Sequence, residues 1–289
     1  MTADIGSGPP PAPPSRWASW RHELGEEGAR GALVAFVATL AFLGIGLYFV
    51  LNSSSWPKVQ QQFFNPDDFV ESWPDVLGGF WLDIKMFIVA EVLILAFGLL
   101  VAVVRSLRGP AFFPLRALAV IYIDLFRGIP ILLILFLLGF GVPALQLPGV
   151  PKDPLFWGVA SLVLSYAAYT AEVYRAGIDS VHESQRAAAR SLGLTQWQTL
   201  RYAIVPQAVR NVIPALLNGL VSLQKDVALV SVLGVREAVR EAEIYKSRTF
   251  NYTSFIAATV LFLLASIPLA RLTDWYTRRE KARRSQAMA

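Results

Sequence analysis

Apolar residues gather along this chain in six long blocks, at about 32–51, 80–104, 118–140, 155–174, 212–235 and 255–272. Each approaches the roughly 20 residues that a helix needs to cross a bilayer, so the pattern predicts an all-helical integral membrane protein. Between the fourth and fifth blocks runs a different pattern, "SQRAAARSLGLTQWQTLRYAIVPQA", from Ser184 to Ala208. Its Ala-rich first part forms helix readily, and Gly193 can supply a left-handed stop. Thr195 with Gln198 three positions later reads as a capping box, and Trp197, Leu200, Ile204 and Val205 make a narrow apolar stripe that Pro206 is expected to end. The segment therefore reads as helix, turn, helix, tethered between two spans.

Charge adds topology. Arg16, Arg21 and Arg30 precede the first block, and Arg105, Arg108 and Arg116 follow the second. Arg175, Arg186, Arg190, Arg201 and Arg210 follow the fourth, and Arg278, Arg279, Lys281, Arg283 and Arg284 follow the sixth. These segments alternate, so the excess of basic residues near span ends puts them together on the cytoplasmic side with both termini. The other side receives the segment with Asp67, Asp68, Glu71 and Asp75 and the Pro-rich "GVPALQLPGVPKDP"; the mixed-sign link "REAVREAEIYKSR" also falls there. The Pro-rich opening "GSGPPPAPPS" is expected to be a disordered tail, and a cleaved leader fits poorly because the leading region is long and no clear small-residue site follows.

Over the 289 residues, 55% are hydrophobic and 16% charged, which agrees with a membrane protein; with no Cys there is neither a disulfide framework nor a thiolate metal site. The two histidines, His22 and His182, both lie outside the blocks, so no His-based metal cluster is expected in the membrane. Charges within spans are the candidates for function, since each costs on the order of 3 kcal/mol on insertion scales. Asp124 and Arg127 lie three apart just before Gly128 and Pro130, where the helix should kink or break. Lys225 and Asp226 form a second candidate pair near the middle of the fifth block. Either pair could line a substrate path or hold helices together. Glu172 and Arg175, near the end of the fourth block, read as anchors of the following loop. Asp83, Lys85 and Glu91 belong to no motif.

The run "AAYTAEVYRAGIDSVHESQRAAARSLGLTQWQTLRYAIVPQAVRNVIPALLNGLVSLQKD", preceded by "DLFRGIPILL" and followed by "VALVSVLGV", resembles the permease subunits of ATP-binding-cassette importers, in the branch that carries polar amino acids. The resemblance covers about 80–275. It implies a five-helix type I importer core, with 32–51 as an extra helix, 52–79 as an extracytoplasmic segment, 1–31 and 276–289 as cytoplasmic tails, and a coupling loop at 176–211. Ser184, Gln185, Arg186, Ala187, Ala188, Ala189, Arg190, Ser191, Leu192, Gly193 and Pro206 are the loop residues it would present to a partner. Two positions depart from the family pattern: Ala187 stands where a glutamate is usual, and "AIVP" at 203–206 replaces Ile-x-Leu-Pro. The implied partners are two ATPase subunits, a second permease, an extracytoplasmic substrate-binding protein and membrane lipid, in a bacterial inner or plasma membrane.

The chain contains no G-x-x-x-x-G-K-[ST] run, so no phosphate-cradling loop of that kind is expected and ATP would be used by the partner, with no cofactor held here. No catalytic residue and no metal ligand is expected. A DNA-binding helix-turn-helix is disfavoured by spans on both sides, and an amphipathic helix resting on headgroups by the ordered match. An intramembrane carboxylate enzyme has no supporting spacing. A secondary transporter or channel would favour inverted repeats, and none is visible.

Overall fold

The computed structural model describes residues 26–107 and 109–288. Ten helices carry the architecture: α1 (Glu26–Leu51), α2 (Trp56–Phe63), α3 (Pro66–Ser106), α4 (Phe113–Gly128), α5 (Ile131–Phe136), α6 (Pro154–Asp179), α7 (Glu183–Ser191), α8 (Val205–Asp226), α9 (Ala238–Thr249) and α10 (Thr253–Met288). No strand occurs among the described residues. Five of their helical stretches are long and apolar enough to cross a membrane, or six when the bent pair Pro110–Gly128 and Ile131–Ala144 counts as one span. The predicted Pro-rich tail, Arg16, Arg21 and Arg108 lie outside the described residues.

The chain divides into two units, Met1–Gln60 and Gln61–Ala289. In the first, the Gly31–Leu51 stretch of α1 is an apolar run of spanning length, as its sequence predicts. The second contains the helical bundle. Its longest early element is α3, with 41 residues, about 60 Å at helical rise and so about twice the hydrocarbon thickness. Asn65 starts it by accepting from Asp67 N at 3.0 Å, Pro66 sits in the first turn, and Asp67 and Asp68 lie at the positive end of the helix dipole. The sequence pattern separates 52–79 from the second span; in the structure the latter half of that segment is the beginning of the same helix.

Between α4 and α5 the chain turns by 106°. Ile129 is extended (φ −96°, ψ 133°), as a residue before proline prefers, and Pro130 has no N–H to offer the carbonyl of Phe126. The break predicted from "RGIP" is therefore present. A π-helical turn over Leu137–Gly141 carries the chain on.

The core forms around α3, which packs on α4, α6, α8, α9 and α10. Met86, Ala90 and Ile94 of α3 meet Leu135, Leu162, Leu223 and Val230 in one cluster; Val76 and Phe80 meet Ala238, Ala242, Ala257 and Leu261 in a second. Because lipid is as apolar as leucine, such contacts rest on close fit and polar cross-links. Gly79 shows the first: a Cβ there would lie 2.5 Å from the carbonyl carbon of Glu237. Tyr245 of α9 shows the second, its hydroxyl standing 2.8 Å from Asp68 Oδ1 and 3.0 Å from Glu71 Oε2, while Asn251 Nδ2 donates to Asp68 Oδ2 at 2.7 Å. The mixed-sign link is thus a helix bound to the acidic start of α3.

Candidate functional site

Two regions concentrate chemistry. The first is a cavity of 670 Å³ bounded by α3, the α4–α5 break, α6 and α8, within the roughly 300–1,000 Å³ of small-ligand sites. Its charged lining comes from Glu91, Arg127 and Asp226. Tyr166 donates to Asp226 Oδ2 at 2.7 Å, and Tyr169 donates to the backbone carbonyl of Arg127 at 3.2 Å. The Arg127 guanidinium also lies over the Tyr169 ring, 5.6 Å from its centre. Glu91 has neither a hydrogen bond nor an ion pair among the described residues.

Arg127 is incompletely neutralised. Its Nη1 stands 3.9 Å from Glu172 Oε1, but the same carboxylate is in closer contact with Arg105 and accepts from Arg175 at 2.9 Å. Arg175 in turn meets Asp179 at 2.8 Å. Three guanidinium groups surround Glu172, and the one facing the cavity is the farthest of them.

The two candidate pairs read from sequence do not form. Asp124 is exposed and outside the cavity lining, and the acid nearest Arg127 is Glu172 from α6. Asp226 faces the cavity and Tyr166, whereas Lys225 is exposed and outside the lining. Consecutive helix positions diverge by about 100°, so adjacency in the chain separates these two side chains. Glu91 and Tyr166 belong to no motif, and Tyr169 lies in the family-like piece "AAYTAEVYRAGI" without a role read for it; only the cost of a charge inside a span marks Glu91 from sequence.

The second region is the polar segment between α6 and α8. His182 begins α7, its Nδ1 accepting from Ser184 N at 3.2 Å and lying 2.7 Å from Ser184 Oγ. The helix ends in a left-handed Gly193 (φ +80°), with Gly193 N donating to Arg190 O and Leu194 N to Ala189 O. That paired arrangement closes a helix end where only glycine avoids a Cβ penalty. Beyond it Thr195 and Gln198 make both bonds of the capping box, at 3.2 and 2.9 Å. The helix–turn–helix reading is therefore present in detail.

Which faces it shows is less regular. Gln185, Ala187, Ala188 and Ser191 are exposed, and Leu192 is 81% exposed, whereas Ala189 is buried. Arg186 turns back into the fold, donating to Ile178 O at 3.2 Å, and both Arg186 and Arg190 lie within 3.7 Å of Glu183. Of the expected apolar stripe only Ile204 is buried; Trp197 is 66% exposed. Pro206 does not end the second helix. A π-helical turn over Thr199–Ile204 runs straight into α8, with Val205 N donating to Leu200 O, so Pro206 occupies a first-turn position where a missing N–H costs little. Ile204 and Ala208 then pack with Val181, fastening the segment to the end of α6.

An all-helical bundle with a charged cavity across its spans and a polar helix–turn–helix at one end defines a multi-pass membrane transport subunit. Residues 94–282 match the binding-protein-dependent transport system inner membrane component, and the chain belongs to that family. It is 33% identical over 210 residues to the probable amino-acid permease protein YxeN of Bacillus subtilis (strain 168), covering 72% of this chain and 92% of that one. It is 34% identical over 197 residues to the arginine transport system permease protein ArtQ of the same organism, covering 67% and 87%. Among solved structures, an amino acid ABC transporter determined with histidines superposes with a TM-score of 0.67 at 32% identity, over 73% of this chain and 96% of that one. An inward-facing form of the MetNI methionine ABC transporter shares the fold, with a TM-score of 0.58 at 20% identity over 71% and 95%.

Proposed function

We propose that this chain is the membrane-path subunit of an ATP-driven importer of polar amino acids. The exposed tip of the 183–193 segment carries this reading: a helix end held rigidly by Gly193 and backed by Arg186 and Ile204 presents Ala187, Ala188, Ser191 and Leu192 outward, a surface suited to a protein partner. Its occupant is a separate ATPase, two copies serving two permease subunits that are copies or paralogues. An extracytoplasmic binding protein delivers the amino acid at the opposite end. Both termini and the coupling loop then lie in the cytoplasm, 80–275 is the permease domain, and nucleotide is held and hydrolysed only by the partner.

The cavity bounded by α3, α4–α5, α6 and α8 is the path. A free amino acid carries one ammonium and one carboxylate, and Asp226 and Arg127 offer one opposite charge to each. Glu172, held by Arg105 and Arg175 at the loop end of α6, joins the cavity cation to the end of the bundle that meets the ATPase. Replacement of exposed Ala188 by Trp tests the docking surface. The expected result is loss of ATPase co-purification and of uptake with permease abundance in the membrane unchanged; retention of both rejects the surface.

A further inference from the structure

The cavity carries one more charge than a neutral amino acid requires. Asp226 is already bonded to Tyr166, and Arg127 is stacked over Tyr169. Glu91 remains, a carboxylate on the cavity wall without a hydrogen-bonding or ionic partner among the described residues. A charge within a span is costly unless a partner or a wet cavity meets it. Here the cavity supplies the wet face and leaves the partner to come from the ligand.

The cation and the two acids also come from different levels of the helices around the cavity. α3 and α6 run in the same direction, since Ile94 packs with Leu162, Gly98 abuts Thr170 and Arg105 reaches Glu172. From the Gly98–Thr170 contact, Glu91 lies about 10 Å toward the start of α3 at helical rise, whereas Tyr166, which holds Asp226, lies about 6 Å toward the start of α6. Arg127 lies close to the level of that contact, its carbonyl bonded by Tyr169 one residue before Thr170 and its guanidinium 3.9 Å from Glu172 two residues after it. The cation therefore lies nearer the loop end than the helix positions that supply the two acids. An amino acid whose α-carboxylate meets Arg127 and whose α-ammonium meets Asp226 leaves Glu91 as the remaining charge of the lining, open to a cation on a long side chain.

We infer that the cavity selects a basic amino acid of the lysine or arginine class, with Glu91 as the residue that receives its side-chain cation. This rests on the cavity being the substrate path. The opposite class is disfavoured by the same geometry: the acid group of a glutamate would meet Glu91 with like charge, and like-charge juxtaposition is a strong discriminator. A neutral glutamine leaves Glu91 unpaired and gains nothing from it.

The test measures equilibrium binding of L-lysine, L-glutamine and L-glutamate to the full permease complex in nanodiscs without binding protein, so that the upstream selector does not filter the ligands. The wild type is expected to prefer lysine to glutamine at least tenfold, and Glu91→Gln to lower that ratio at least tenfold while glutamine affinity changes little. Because the ratio is internal to each preparation, a partial loss of folded protein does not imitate the effect. Equal binding of lysine and glutamine by the wild type, or an unchanged ratio in Glu91→Gln, overturns the inference. A separate variant decides the underlying reading: Gly219 lines the cavity, and a Cβ there meets nothing within 4 Å. Gly219→Phe is expected to abolish binding of all three ligands. Binding of lysine unaltered in Gly219→Phe rejects the cavity as the site, whereas loss there combined with an unchanged ratio in Glu91→Gln rejects only the basic class.

Discussion

Glu237 gives the sharpest pH prediction. It lies beyond the span that ends at Leu233, is fully buried, and caps α9 by accepting from Val239 N at 2.9 Å and Arg240 N at 2.7 Å. Burial pushes its carboxyl from an ordinary 4.5 up to about 7, against the lowering effect of those two backbone donors. The neighbouring groups are Asp83 from α3, also buried and accepting from Ala238 N at 3.2 Å, and Glu241, which is held by Arg236 at 2.7 Å. Because the folded carboxyl holds its proton more tightly than the unfolded one, this contribution to stability is complete below pH 4.5. It falls as pH rises and is gone above about 7. A displacement of that size corresponds to about 3 kcal/mol. Glu237→Gln cannot titrate and keeps one of the two capping acceptors, at a constant cost of about 1 kcal/mol. The variant should therefore be less stable than the wild type near pH 4.5 and more stable at pH 8, the two curves crossing at roughly pH 5–6. Tryptophan-fluorescence thermal unfolding of the complex in nanodiscs across pH 4.5–8 measures the midpoints. Parallel midpoints for the two proteins across that window would refute the reasoning.

Two further substitutions probe the packing and the cavity. Gly79→Ala places its Cβ 2.5 Å from backbone that no side-chain rotation can move, so the α3–α9 junction should lose about 1–3 kcal/mol, read as a lower unfolding midpoint; an unchanged midpoint would show that the two helices do not meet so closely. Tyr166→Phe removes the donor to Asp226, with an expected loss of about 1 kcal/mol in stability and weaker amino-acid binding at unchanged lysine-to-glutamine ratio; a changed ratio would place the side-chain subsite at Asp226 instead of Glu91.

Length and apolarity made the spans legible, because a bilayer imposes a minimum run of apolar residues whatever the tertiary contacts. The break at Pro130 and the stop at Gly193 were legible for a different reason: one is a missing donor, the other a backbone region that glycine enters freely, and both act locally. The beginning of α3 carries a local start signal in Asn65, Pro66, Asp67 and Asp68, but neither it nor α9 has an apolar run of spanning length. The polar stretch from Pro66 to Gly79 and the helix Ala238–Thr249 are each too hydrophilic to read as spans. Their helical state is supported by each other, through Tyr245 to Asp68 and Glu71 and through the contact of Gly79 with Glu237. Long-range pairing of that kind has no periodicity in the chain.

The charged groups show why site residues were harder to find than spans. Spacing along one helix identifies which side chains share a face, but an ion inside a bundle chooses its partner across helices. Arg127 therefore meets Glu172 of α6 instead of Asp124 three positions earlier, and Asp226 meets Tyr166 of α6 instead of Lys225 beside it. Glu91 is the opposite case. Its cost inside a span marks it as significant, yet no neighbour in the sequence suggests a role, because the group that completes it is not a protein side chain at all. The same reasoning separates Asp83 from Glu91, two acids of the same helix. Asp83 is enclosed between α3 and the start of α9, with one oxygen receiving the N–H of Ala238 and the other without a hydrogen-bond partner; Glu91, about 12 Å farther along α3 at helical rise, opens on the cavity. An intramembrane acid enclosed by packed helices serves the fold, and one that opens on a cavity is available to what passes through.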